Sequence, residues 1–219
     1  FDGSGWVRET KGVAGDYVNF RSGWAASATD AWVTSGRDFM VASAFRFHWD
    51  GLQWQSVSLP DPSKRVYAMW GTGADSVWGV GENIVQWTGS QWVQRSNPVT
   101  NRLVAIAGSG PNDIWALSVA AQVIRWNGSG WSVMPGTPAG PLRGLAVVDN
   151  EAWITSSAGT VHHWTGAGWT VENVGVADEL ASIVAADRSN IAVASQGNAV
   201  YRWNGSTWTK QTVTGANSI

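Results

Sequence analysis

Val123-Ile124-Arg125-Trp126-Asn127-Gly128-Ser129-Gly130-Trp131-Ser132-Val133 reads as two short strands around a turn. Asn-Gly between strand-like runs is the strongest short-range hairpin signal, because both residues tolerate positive φ. Just upstream, residues 103–107 form a short apolar run, and Gly108-Ser109-Gly110-Pro111-Asn112-Asp113 is a cluster of turn formers. Ile114-Trp115-Ala116-Leu117 then supplies strand formers. Residues 101–135 therefore predict four strands, with no helical periodicity.

The unit recurs along the chain. Trp pairs flank a Gly-containing turn at Trp49/Trp54, Trp87/Trp92, Trp126/Trp131, Trp164/Trp169 and Trp203/Trp208, and the second members are 38, 39, 38 and 39 residues apart. The turns open on Asp50-Gly51, Thr88-Gly89, Asn127-Gly128, Thr165-Gly166 and Asn204-Gly205. A second-strand Trp recurs as Trp32, Trp78, Trp115 and Trp153, with Ala192 as the exception. Two residues before it stand Asp30, Ser76, Asp113, Glu151 and Asn190, mostly turn-friendly polar groups. Four-stranded units of this period set around an axis make a β-propeller, because one unit cannot bury its apolar face alone. The prediction is an all-β domain over residues 1–219, with five blades near 16–58, 64–96, 101–135, 140–173 and 178–213.

The step from Trp32 to Trp78 is 46 residues, so the first repeat is expected to carry a longer loop around residues 37–44. Residues 1–10 form an extra outer strand on this reading, while residues 207–213 already supply one for the last repeat. The surplus strand leaves three arrangements open: closure within one chain, pairing with another chain, or membership of a larger ring. An outer edge left bare is an association hazard. The chain opens on Phe1 inside a repeat, which fits either a processed mature protein or a section of a longer one.

Composition narrows the function classes. Net charge is −2 and the fourteen Lys and Arg are scattered, which disfavours nucleic acid, whose binding needs clustered cations. No apolar run approaches the ~18 residues of a transmembrane segment. The chain has no cysteine, so disulfides and thiolate metal sites are excluded. His162 and His163 are the sole histidine pair, and neighbours on a strand point to opposite faces, so no metal is expected there. Asp16, Glu82, Asp178 and Glu179 break the repeat but have no spacing that marks an acid/base pair. Gly71-Thr72-Gly73 is read as a strand-to-strand turn rather than a phosphate-binding loop, because no helix follows it. No cofactor and no catalysis are expected.

Two sets of residues stand out as candidate ligand contacts. His48, Gln86, Arg125, His163 and Arg202 immediately precede the first hairpin Trp, so a polar donor recurs once per blade on the face opposite that Trp. Planar donors beside an aromatic platform suit hydroxyl-rich ligands, and one site per blade would give avidity from weak contacts. Trp24 and Trp70 lie eight residues before a second-strand Trp, where later repeats carry Ala107, Leu145 and Val184. The repeat does not require an indole there, so a sugar-stacking role competes with gap filling between blades. The periodic Trp residues are read as the packing between blades.

Asn112-Asp113-Ile114-Trp115-Ala116 and Val123-Ile124-Arg125-Trp126-Asn127-Gly128-Ser129-Gly130-Trp131 resemble the tryptophan-rich propeller repeats of secreted bacterial proteins. The Trp-Gly-Trp hairpin is also similar to that of propeller lectins. The resemblance implies a secreted or cell-surface location and a glycan ligand. Two classes are carried forward: a non-catalytic, lectin-like glycan binder, and a structural or protein-interaction scaffold, which would include a homo-oligomer.

Overall fold

In a computed structural model, residues 20–35, 46–197 and 199–211 are described, and among them there is no helix. Twenty strands form five four-stranded sheets, each an antiparallel meander in chain order. The first blade holds β1 (Phe20–Ser27), β2 (Asp30–Ser35), β3 (Arg46–Trp49) and β4 (Trp54–Ser56). The second holds β5 (Val66–Gly73), β6 (Ser76–Gly81), β7 (Ile84–Trp87) and β8 (Trp92–Arg95). The third holds β9 (Leu103–Gly110), β10 (Asp113–Ser118), β11 (Val123–Trp126) and β12 (Trp131–Val133). The fourth holds β13 (Leu142–Val148), β14 (Glu151–Ser156), β15 (Thr160–Trp164) and β16 (Trp169–Asn173). The fifth holds β17 (Leu180–Asp187), β18 (Asn190–Ser195), β19 (Val200–Trp203) and β20 (Trp208–Gln211). This is the five-bladed propeller that the repeat predicts. Residues 1–10 and the whole of the expected loop at 37–44 lie outside the described residues, as does Asp16.

The hairpins form as expected, but by a different division of labour. Of the two residues that open each hairpin turn only the glycine takes the left-handed conformation, Gly51, Gly89, Gly128, Gly166 and Gly205 having φ between 86° and 96°. The residue before each glycine instead caps the turn. Asn127 Oδ1 accepts the backbone N–H of Ser129 and Gly130, at 3.0 and 3.1 Å. Asp50 and Asn204 do the same in their own turns. Those donors hold the exposed Asp50 carboxyl below its ordinary range, Gln53 and Leu52 first. Thr88 and Thr165 reverse the polarity, their hydroxyls donating to the carbonyls of Gln91 and Gly168. The first hairpin Trp then ties this turn to its neighbour, as in Trp126 Nε1–H to Pro111 O and Trp203 Nε1–H to Arg188 O, both 3.1 Å.

The innermost strands are longer than the turn chemistry suggests. Gly71 and Gly73 belong to β5, and Gly108 and Gly110 to β9, so these glycines are strand residues rather than the turns they were read as. Extended conformation suits any residue; Gly71 and Gly108 have no room for a Cβ, whereas Gly73 and Gly110 do.

Adjacent blades meet through one repeated arrangement. The second-strand Trp turns toward the following blade and meets its hairpin Trp pair. Trp32 lies 5.0 and 5.1 Å from the Trp87 and Trp92 rings, and Trp78 lies 4.9 and 5.6 Å from those of Trp126 and Trp131. Trp115 meets Trp164 and Trp169, and Trp153 meets Trp203. Indoles tilt or meet edge-on at such contacts, which suits the ring quadrupole. Full burial of one is worth about 5 kcal/mol at ~25 cal/mol per Å².

Among the described residues, four apolar clusters join consecutive blades, and none joins the fifth to the first. The fifth blade's forward face carries Ala192 in place of the Trp, and Val184 on the same face is 67% exposed. Among the described residues the stacking thus runs through five blades, and none of them covers this face.

Candidate functional site

Every blade has two ends. One gathers the turns between first and second strands and between third and fourth; the other gathers the second-to-third turns and the inter-blade linkers. The five repeated polar residues all stand near the first end. Cross-strand register places each opposite its own second-strand position: Trp32 with His48, Trp78 with Gln86, Trp115 with Arg125, Trp153 with His163 and Ala192 with Arg202. Directly paired residues share a face. The donor therefore lies over its own blade's Trp: the His163 ring stacks on Trp153 at 3.6 Å, His48 on Trp32 at 4.2 Å, and the Arg125 guanidinium sits 5.0 Å above Trp115.

Each of these residues also has a polar partner, and in four blades it is the turn residue two before the Trp position. His48 pairs with Asp30 at 3.1 Å and His163 with Glu151 at 2.8 Å. Arg202 Nη2 donates to Asn190 Oδ1 at 3.0 Å. Asp113 is the most elaborate, 4% exposed and accepting from Arg125 Nε, Trp115 Nε1 and Ser109 Oγ at 2.8, 2.8 and 2.5 Å. The second blade has Ser76 at that position, and Gln86 becomes an acceptor for Arg95 Nε and Nη2 at 2.9 and 2.7 Å. In the third blade acid, cation and indole thus form one stacked unit, and in the first and fourth an imidazole takes the cation's place between acid and indole.

Trp24 and Trp70 are half-buried at the same end, facing the following blade. A Cβ built on Gly71 would lie 2.9 Å from the Trp24 ring, and one on Gly108 would lie 2.6 Å from Trp70. Each indole is seated on a strand glycine of the next blade. The register also pairs Trp153 with Ala146, so the fourth-blade counterpart is Ala146 rather than Leu145; the other four blades carry an extra residue beside the first turn, which the fourth lacks, so the step back from the Trp is seven residues instead of eight.

The non-repeated acids serve packing contacts. Glu179 accepts from Arg143 Nε at 2.5 Å, and Glu82 accepts the Arg65 backbone N–H at 3.3 Å. Arg188 of the fifth blade spans to Asp149 and Glu151 of the fourth, at 3.5 and 3.4 Å. Among the described residues, no three His, Asp or Glu side chains gather as a metal site would require.

His162, on the opposite face of β15 from His163, is half-buried, and burial lowers its pKa from the ordinary 6.5. The unfolded chain therefore binds this proton more readily than the folded one. Stability is expected to fall as pH drops through 6.5 toward the lower folded value. Melting curves at pH 7 and pH 5 are expected to differ less in a His162→Gln variant than in the unaltered chain.

The second end is where sequence reasoning found nothing. Between the first two linkers and the β6–β7 turn lies a groove of about 420 Å³ bounded by Lys64, Asn83, Gln94 and Thr100. Asn83 is 6% exposed, and neither Nδ2 nor Oδ1 has a hydrogen-bond partner. Nothing repeats at this position, so no periodic signal marks it.

No protein-family model and no curated protein matches the chain. Solved structures do. It is similar to YCF48 bound to D1 peptide, with a TM-score of 0.66 and 17% identity over 88% of this chain and 68% of that one. It is similar to YCF48 from Cyanidioschyzon merolae, with a TM-score of 0.66 and 12% identity over 92% of this chain and 74% of that one. The computationally designed Ika8 protein gives a TM-score of 0.67 at 15% identity, over 88% of this chain and 60% of that one. The likeness is one of fold. The chain spans 60% to 74% of the length of these structures.

Proposed function

We propose that this propeller is a non-catalytic recognition scaffold whose partner is a protein segment. The observation that supports it most is the engagement of the repeated polar side chains. His48, Arg125, His163 and Arg202 bond to groups of their own blades, and the first three stack on a second-strand Trp. Side chains committed to holding sheets in register are poorly placed to serve as ligand donors. The acids in the same clusters face cations and indoles rather than a cleft, which gives general acid/base chemistry no substrate position. One propeller of similar fold, YCF48, is bound to a D1 peptide, and a peptide partner is the reading adopted for this chain.

The glycan reading makes the opposite demand, since those donors would have to leave their partners. Arg125→Gln separates the two. On the scaffold reading it lowers stability by about 1–3 kcal/mol, the worth of a charge-assisted hydrogen-bond set, and leaves ligand binding unchanged. A titration with cell-wall sugars, in which saturation at millimolar concentration is abolished by Arg125→Gln, would reverse the choice.

A further inference from the structure

At the linker end, the inner strands start at one repeat position, Phe20, Val66, Leu103, Leu142 and Leu180, each paired with the last residue of its second strand. Across two interfaces, the residue after this position meets the residue before it in the next blade. Arg143 donates to Glu179 at 2.5 Å, and the Arg102 guanidinium lies 5.5 Å from the Tyr67 ring centroid. The first and second blades are set against each other in the same way. Ser22 Oγ accepts the Met69 N–H at 3.0 Å; the equivalent residues of the fourth and fifth blades are Gly144 and Ile183, where a Cβ on the glycine would lie 3.0 Å from the Ile183 nitrogen. By that equivalence Arg21 stands opposite Arg65.

The fourth and fifth blades thus put an acid opposite a cation, whereas the first and second put two cations together. Arg65 in turn donates to Tyr67 Oη at 3.2 Å, so Arg21, Arg65 and Arg102 form an arc around Tyr67 at the starts of three consecutive inner strands. Arg21 and Arg102 are exposed. Of the three, only Arg65 has an acid within ion-pair distance among the described residues, Glu82 at 3.8 Å. Lys64 and Arg46 have Asp61 as their neighbouring acid. Three arginines against one glutamate leave a local positive excess on a chain of net charge −2.

Like charges placed together cost stability, and an anion between them reverses the sign of the contact. Guanidinium forks match carboxylates with two parallel hydrogen bonds. Tyr67 holds two of the three arginines in place, which reduces the ordering cost of binding. The chain's overall negative charge opposes a long polyanion, whereas a short acidic segment meets only the arc.

We propose that this arc binds an acidic peptide segment, whose carboxylates bridge Arg21, Arg65 and Arg102. The proposal rests on the scaffold reading above and gives the protein partner its charge and its place, at the linker end of the inner strands.

The test uses the full chain and a fluorescein-labelled peptide of alternating Glu and Gly, with the corresponding Gln peptide as control. The Glu peptide is expected to bind at least about tenfold more tightly than the Gln peptide, and to weaken as salt rises. Arg21→Gln and Arg102→Gln should each cost about tenfold, the worth of a charge-assisted bond. Arg143→Gln, outside the arc, should leave the affinity unchanged. Arg21→Glu recreates the Arg143–Glu179 pairing, so it is expected to abolish binding with the melting temperature unchanged or raised. A lowered melting temperature in that variant would mean that Arg21 does not face Arg65 and would overturn the arc. Equal affinity for the two peptides, no binding of either at millimolar concentration, or binding indifferent to Arg21 and Arg102 would overturn it too, while leaving the scaffold reading intact. Inorganic phosphate or a single-stranded oligonucleotide binding more tightly than the Glu peptide, with losses in the same variants, would overturn the ligand class. Saturation by cell-wall sugars that Arg125→Gln abolishes would instead overturn the scaffold reading beneath it.

Discussion

Trp115→Ala is expected to destabilise the third and fourth blades by about 3–5 kcal/mol, the usual cost of emptying a buried aromatic site. Trp115 is fully buried. Its ring meets Trp164 and Trp169 across the blade interface, and its Nε1 donates to Asp113 at 2.8 Å. Truncation leaves a cavity lined by β-strands on both sides, which cannot collapse without shifting a whole sheet. It also removes the indole beneath the Arg125 guanidinium and one of the donors that satisfy buried Asp113. The fifth blade shows the converse: Ala192 occupies the same repeat position, and among the described residues no hairpin Trp pair lies against it. Ala192→Trp should therefore change stability by less than 1 kcal/mol. Urea unfolding of the two variants checks both; a Trp115→Ala cost under 1 kcal/mol would remove the indole wedge as the basis of blade stacking.

How far the sequence carries follows from what is local and what repeats. Trp126-Asn127-Gly128 marks a hairpin because turn, strand and indole lie within a few residues, and five copies fix the blade count. The donor series was visible for the same reason. Its partners were not: Arg125 finds Asp113 twelve residues away, and the acid was already explained as a turn residue. Only the register, which sets Trp115 against Arg125, makes acid, cation and ring one unit. Gly71 and Gly108 were read as turn formers because local composition cannot reveal an indole arriving from the preceding blade. Asn83 carries neither a repeat nor a local anomaly; it stands out only once burial and partners are known. Fold is thus written in periodic, short-range chemistry, and candidate contacts in departures from it.

The same interface contains a second dependence that can be tested by exchange. Where a blade carries Trp beside its second-strand Trp, the next blade carries Gly one place further along β-strand register, as in Trp24/Gly71 and Trp70/Gly108. Where it carries Ala107, the corresponding residue is Val147. Large meets absent, and where the indole is missing the next blade carries a side chain, Val147 after Ala107 and Ala185 after Ala146. In Gly108→Val the new Cβ would stand 2.6 Å from Trp70 Cη2 and 2.7 Å from the Asp113 carbonyl oxygen. The indole must then leave its seat or β9 must draw away from β10, an overpacking that costs about 1–3 kcal/mol. Trp70→Ala alone opens a void of comparable cost. The double variant copies the natural Ala107/Val147 combination, so its loss is expected to fall short of the sum of the single losses by at least about 1 kcal/mol, a coupling typical of residues in direct contact. Strict additivity in urea unfolding would mean that the two positions do not read each other's size, and that the glycine at 108 answers only to the backbone of its own blade.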